Sequence, residues 1–352
     1  SARGQTRSRL PSFFEETVHA PVEMFESFNF VPSSSNRKAS AFRTGLYNML
    51  HIAGFLPSIR FISRRLREIS PDVVVNFYDI LGTMGYRFSR QKAPMICLGH
   101  QFLFLHKDFK FPATGYSGHY ALNFFTNMVA HGAAKVLALS FRPMPDDPKH
   151  RIKVVRDSRP SGAGTPRGLR RASGEDDPSV HDGGYIHGYM LNAGFSQDVM
   201  DWHTAHPDVP LRFFWDKVDE APVKVVDKTL SFYYLDDEEF LRQMAGCHAY
   251  ASTAGFESVC EAMYLGKPLL MVPSHVEQKC NAYDATEGYR MALRSSDIGF
   301  TKGEAPRPAV SSEKFDLDLL LHFADNEFVA DKSFPDWARA ADSVFLKELT
   351  FS

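Results

Sequence analysis

Residues 252–282 hold the side chains of this 352-residue chain best suited to chemistry. Thr253-Ala254-Gly255 is a run of small residues, followed by Phe256, Glu257, Ser258 and Glu261. Small residues between a strand and a helix let backbone N–H groups come close to a ligand. The helix N-terminus adds roughly half a positive charge, which favours a phosphate. Ser258 adds a hydroxyl donor. The Glu261 carboxylate can accept from both hydroxyls of a ribose, the device used by the acidic residue of dinucleotide folds. Glu257 lies one turn earlier on the same helix face, so two anions would share the site unless one points elsewhere. Glu277-Gln278 follows Pro273 by a short loop, and a neighbouring acid and amide can hold several sugar hydroxyls. Taken singly, these features also fit an ordinary strand-to-helix turn, a solvated glutamate and a helix cap. In this order and within one short stretch, they suit a diphosphate, a ribose and a sugar.

The elements around them are those such a site requires. Ala249–Ser252 reads as the strand feeding the turn, Gly266 and Pro268 close the helix after it, and 269–272 reads as the next strand. Upstream, 185–191, 211–215 and 230–234 read as strands, with helices over 196–206 and 238–245 and a tight loop at Asn192-Ala193-Gly194. In the first half, 73–77, 95–98 and 135–141 read as strands, 18–31 as a strand with loops, and 41–69 as helical with an interruption at Pro57. The tail from Glu313 to Leu349 reads as two helices joined near Pro335. Strands alternating with helices predict α/β architecture with parallel sheets, which bind ligands in the crevice outside the strands' carboxyl ends.

Residues 156–184 are rich in Arg, Gly, Ser, Pro and Asp and almost lack large apolar residues, the composition of a mobile interdomain loop. The expected organisation is therefore 1–155 as an N-terminal domain, 156–184 as the loop, 185–330 as a C-terminal domain and 331–352 as a helix crossing back to the first domain. A net charge of -2 argues against a nucleic-acid binder. No apolar run reaches the roughly 18 residues of a spanning helix, and no segment reads as a secretory signal. Cys97, Cys247, Cys260 and Cys280 lack metal-ligand spacing and read as free thiols of a reducing compartment. Asp316 and Asp318 fall in a predicted helix, and no metal site is expected.

From Phe232 to Ala282 the chain resembles the donor-binding half of GT-B glycosyltransferases, in particular the peptidoglycan N-acetylglucosaminyltransferase and the UDP-glycosyltransferases. Tyr234-Leu235-Asp236-Asp237 resembles the stretch whose backbone reads uracil in the former. Gly255, Ser258 and Glu261-Ala262 match the phosphate and ribose motif. Pro273-x-x-x-Glu277-Gln278-x-x-Asn281-Ala282 matches a signature of the latter. In the first half, only the strand ending in His100-Gln101 is similar to a His-Glu-Gln acceptor loop. Thr253 stands where many UDP-glycosyltransferases carry a phosphate-binding His, and Glu257 where they carry Asn or a small residue.

The resemblance implies two Rossmann-like domains facing a cleft, and an inverting, metal-independent transfer of a sugar from a UDP-sugar co-substrate, with no further cofactor. It implies donor contacts from Leu235, Thr253, Ala254, Gly255, Phe256, Glu257, Ser258, Glu261, Glu277, Gln278 and Asn281. Gln101, Asn192, Ala193 and Gly194 would line the acceptor side. Relatives open with a strand and a Gly-rich loop carrying a catalytic His. None is read here, so the N-terminal domain reads as truncated and the base as unknown, with His100 and then His119 as candidates. The partners expected are a nucleotide sugar and an unidentified acceptor of lipid-linked or cell-envelope glycan type. The expected location is cytoplasmic, with peripheral contact at the inner membrane face through the aromatic segment 101–111 and the arginines of 55–69. A UDP-sugar 2-epimerase and a non-catalytic nucleotide-binding scaffold are the alternatives.

Overall fold

A computed structural model describes residues 21–26, 52–112, 116–142, 144–155, 183–191, 193–215, 221–289 and 305–350. In chain order the elements are α1 (Leu56–Ile69), β1 (Val74–Asn76), α2 (Ile80–Ser89), β2 (Met95–Gly99), α3 (Tyr116–Val129), β3 (Lys135–Leu139), β4 (Ile152–Val155), β5 (Ile186–Met190), α4 (Ser196–Ala205), β6 (Leu211–Trp215), β7 (Val223–Val225), β8 (Leu230–Tyr234), α5 (Asp237–Gly246), β9 (Ala249–Ser252), α6 (Phe256–Tyr264), β10 (Leu269–Met271), α7 (Val276–Tyr283), β11 (Ala309–Ser311), α8 (Leu317–Asn326) and α9 (Phe334–Leu349). The predicted interdomain loop falls almost wholly on residues outside those described, as does Asn192. Of the predicted strand region 18–31, only 21–26 are described, and they form no strand.

Two sheets result. The first has the order β1-β2-β3-β4 and is parallel throughout. The second has the order β11-β10-β9-β5-β6-β8-β7, parallel except for β7, which pairs antiparallel at one edge. Its central strands are covered on both faces. An apolar run such as Leu269–Met271, fully buried and packed on both faces, is the signature of such a parallel sheet. From β5 the chain proceeds through β6 and β8, then returns to place β9 on the other side of β5. The order reverses between β5 and β9, so the crevice at their carboxyl ends is the topological switch point where such sheets bind ligands.

Three expectations change. Pro57 does not interrupt a helix; it lies at the start of α1, where a missing N–H breaks no helical bond. The aromatic segment 101–111 is not a membrane-facing surface. Phe102, Leu103, Phe104 and Phe109 are buried in the core of the first domain. Arg65 of α1 is paired with Glu23 and Glu68, and Arg64 lies 3.7 Å from Glu68, which neutralises much of the expected basic face. Among the described residues, no helix is long and apolar enough to cross a membrane.

The helix α9 joins both halves. Phe334 at its start is buried in the core around β9 and α6, while Ala341, Val344, Phe345 and Leu349 pack on Ile96, Leu137 and Val155 of the first sheet. Glu348 near its end receives Lys135 at 3.1 Å and Lys153 at 2.6 Å.

Candidate functional site

The turn between β9 and α6 forms as its small residues predict. Ser252, Thr253 and Ala254 are buried, and Gly255 leads into the helix with no side-chain cap. By contrast, α5 is capped by Asp236, which accepts from the Glu239 N–H, and α8 by Asp316, which accepts from the Leu319 N–H. An uncapped helix keeps its first N–H groups available. Two amides predicted to face a ligand are used internally: the Thr253 N–H donates to the Tyr189 carbonyl and the Ala254 N–H to that of Ser252. The Thr253 hydroxyl accepts from the Leu191 N–H at 3.1 Å, tying the loop after β5 to the loop after β9 across the switch point. The open donors therefore begin one step later, at the first turn of α6. Ser258 lies in that turn, and beneath it the buried Tyr250 hydroxyl faces Ser252 and Ser258.

Glu261 follows on the next turn of α6. Burial pushes its carboxyl up to about 7, and the carboxylates of Glu257 and Asp237 push the same way. Among the described residues no donor and no cation is placed on it. A half-buried carboxylate with two anionic neighbours and no partner is costly in isolation. It becomes favourable when a ligand's hydroxyls donate to it. Glu257, the other acid of this face, is exposed. Leu235 leads from β8 into α5 and packs half-buried on the same domain's core.

Residues of the Pro273–Ala282 signature divide between two tasks. Gln278 accepts from the Ser274 N–H at 2.8 Å and from the Ser274 hydroxyl at 2.6 Å, which shapes the loop before α7. Asn281 donates to the Ala254 carbonyl at 3.0 Å and locks α7 to the turn before α6. Both are buried and act on the protein itself. Glu277 instead reaches the first domain. Its Oε1 lies 3.2 Å from His100 Nε2 and accepts from the Gln101 amide at 3.2 Å. The His100 contact is a close approach rather than an aligned hydrogen bond, because among the described residues Nε2 has no partner in hydrogen-bond geometry. Burial pulls the Glu277 carboxyl up, but His100, His275 and Gln101 outweigh it and hold the group below its ordinary range.

The two candidate histidines differ. The His100 ring lies flat on Phe256 with centroids 4.4 Å apart, so it stands over the start of α6 as well as beside Glu277. His119 is buried against Phe111, and burial lowers its pKa. Ala193 and Gly194 form a short turn after β5 on the second domain.

Sequence reasoning missed Arg142 and Asp284. Arg142 Nε donates to Asp284 Oδ1 at 2.7 Å, a buried pair between the loop after β3 and the turn after α7. Beside it, Phe141 packs on Phe256 with centroids 4.6 Å apart. Burial pushes the Asp284 carboxyl up, although Arg142 opposes the rise. Nothing in the local pattern marks either residue, since the pair forms only when the domains meet. Asp316 and Asp318 hold no shared site: the first caps α8 and the second lies 3.4 Å from His206. Among the described residues, no group of three or more His, Cys, Asp or Glu could hold a metal ion.

The family model described as Glycosyl transferase family 1 matches residues 213–302, the span carrying the turn, Glu261 and Glu277. The glycotransferase of kitacinnamycin superposes with a TM-score of 0.52 at 14% identity, over 93% of this chain and 86% of that one. UGT89C1 of Arabidopsis thaliana gives 0.52 at 14%, over 97% and 90%. The chain has the GT-B glycosyltransferase fold. MurG of Acinetobacter baumannii gives a TM-score of 0.46 at 13% identity, over 96% and 86%. No curated protein matches the chain in sequence. The GT-B assignment agrees with the two parallel sheets, with the crevice at the β5–β9 switch point, and with the fold expected from the motifs of 232–282.

Proposed function

We propose that this chain is a glycosyltransferase that takes its sugar from a nucleoside-diphosphate donor, with UDP as the nucleotide. The observation that carries the reading is Glu261. Its carboxylate is half-buried with no donor among the described residues, one turn beyond an uncapped helix start at the switch point of the second sheet. A ribose supplies the hydroxyls that carboxylate lacks. The diphosphate next to it meets the open amides of α6 and the Ser258 hydroxyl. Leu235 lies at the end of β8, on the side where the base would rest.

The chemistry follows from where charge develops. In an inverting transfer, the acceptor oxygen attacks the anomeric carbon as the bond to the diphosphate breaks, and negative charge grows on the leaving phosphate. Fixed amides and a helix terminus aimed at that charge stabilise the transition state without reorganising. The α6 N-terminus is suited to this role. Glu277, ahead of it in the crevice, would accept from sugar hydroxyls. The acceptor enters from the first domain.

The test is turnover of UDP-sugars by the full chain with a panel of acceptors. Released UDP together with a product of inverted anomeric configuration is the expected result. Isomerised UDP-sugar without release of UDP would make the chain an epimerase. Binding of UDP without any turnover would make it a nucleotide-responsive scaffold.

A further inference from the structure

Glu277 belongs to the second domain, but the groups that fix its carboxylate belong to the first. His100 and Gln101 lie in the turn after β2, and both approach the same oxygen, Oε1, at 3.2 Å. His100 is itself held. It is buried, stacked flat on Phe256 at 4.4 Å, and has the Phe104 ring edge-on at 5.8 Å. The two domains also grip each other directly behind this point. Arg142 pairs with Asp284, and Val276 of α7 fills the space that a Cβ on Gly118 would need. The carboxylate is therefore aimed by contacts that exist only while the domains are together.

We propose that His100 and Gln101 are positioning residues for sugar recognition. They hold one oxygen of Glu277 from the opposite domain and leave the other to accept from the hydroxyls of the donor sugar. This inference rests on the nucleotide-sugar reading and adds that the sugar, unlike the nucleotide, is bound by a site shared between domains. The nucleotide end needs only α6, Glu261 and the end of β8, all within the second domain. The sugar end needs closure. A donor that has lost its sugar would then keep its contacts with the second domain and lose its stake in the closed arrangement, which favours release of the nucleotide after transfer.

Calorimetric titration of the full chain with UDP, UDP-glucose and UDP-N-acetylglucosamine separates the two ends. His100→Ala and Gln101→Ala are expected to weaken the better-bound UDP-sugar by roughly tenfold, the scale of one charge-assisted contact, and to change UDP affinity by less than about twofold. His100→Gln, which puts an amide N–H within reach of the same oxygen, is expected to recover part of the loss. In a Glu277→Ala background, His100→Ala is expected to add nothing further. Equal weakening of UDP and UDP-sugar would overturn the inference, as would a loss that persists without Glu277 or a UDP-sugar that binds more tightly once His100 is removed. A wild-type chain that binds UDP but gains nothing from either sugar also overturns it while leaving the nucleotide site standing. A chain that binds none of the three removes the nucleotide-sugar reading and this inference with it.

Discussion

In Glu261, the proposed ribose contact and the stability of the fold pull on the same side chain. Its carboxyl titrates near 7 in the folded chain because burial, Glu257 and Asp237 all oppose its charge. A raised carboxyl pKa means that the native state holds the proton more tightly than the unfolded chain. The site therefore weakens the fold as pH rises from the ordinary carboxylate range through about 7 and costs nothing below that window. Glu261→Gln is expected to stabilise the ligand-free chain by about 1–3 kcal/mol at pH 8, with no gain at pH 4, where both states are protonated. Urea unfolding at the two pH values measures this, and an equal gain at both would contradict the cause assigned to the shift. The residue stood out in the sequence because it follows a small-residue turn at a fixed distance, but a solvated helix acid fits the same pattern, and its burial was not legible. Thr253, Gln278 and Asn281 were legible as members of the same motifs but not as to task. Whether a polar head faces a ligand or a neighbouring loop depends on partners distant in sequence, such as Leu191 and Ala254.

At the scale of elements, the helices of the second domain fall into those closed by their own sequence and those left open. Asp236 and Asp316 close α5 and α8, whereas α6 and α7 begin at Gly255 and His275 without a side-chain cap. The backbone at Gly255 has φ -70, and a Cβ there would meet nothing nearer than 3.8 Å, so a side chain fits without strain. Gly255→Asp is expected to leave stability within about 1 kcal/mol of wild type, because it supplies a cap, and, on the proposed function, to abolish UDP binding by placing a carboxylate where the proposal puts the diphosphate. Thermal unfolding alongside a UDP titration decides this; retained UDP binding would move the diphosphate away from α6. Strong apolar strands were readable to within a residue or two, as at Leu211–Trp215 and Ala249–Ser252. Three strands were missed. Val223–Val225 and Ala309–Ser311 are only three residues long, and Ile152–Val155 lies directly before a polar stretch that dominates the local composition. Short edge strands owe their existence to a neighbouring ladder more than to their own pattern.

At the scale of the whole molecule, the half that carries the motifs is joined to a facing half by several contacts among the described residues, those of Glu277 with His100 and Gln101 included. There is a buried ion pair at Arg142–Asp284, an aromatic stack of His100 and Phe141 on Phe256, and the helix α9, which starts in one core and ends on the other sheet. The ion pair and the aromatic stack were not legible locally, because each joins residues far apart in the chain, whereas a C-terminal helix crossing back to the first half was expected from the sequence. The motif-bearing half was legible because its chemistry is compressed into one strand-turn-helix-strand unit. Every further statement about sugar, acceptor and closure depends on that unit holding a nucleoside diphosphate. The most direct measurement is the calorimetric affinity of the full chain for UDP, compared with that of Glu261→Ala. Wild-type binding, weakened by about 1–3 kcal/mol in the variant through loss of charge-assisted hydrogen bonds to the ribose, is the result expected. Equal affinity in both proteins, or no affinity in either, would contradict it.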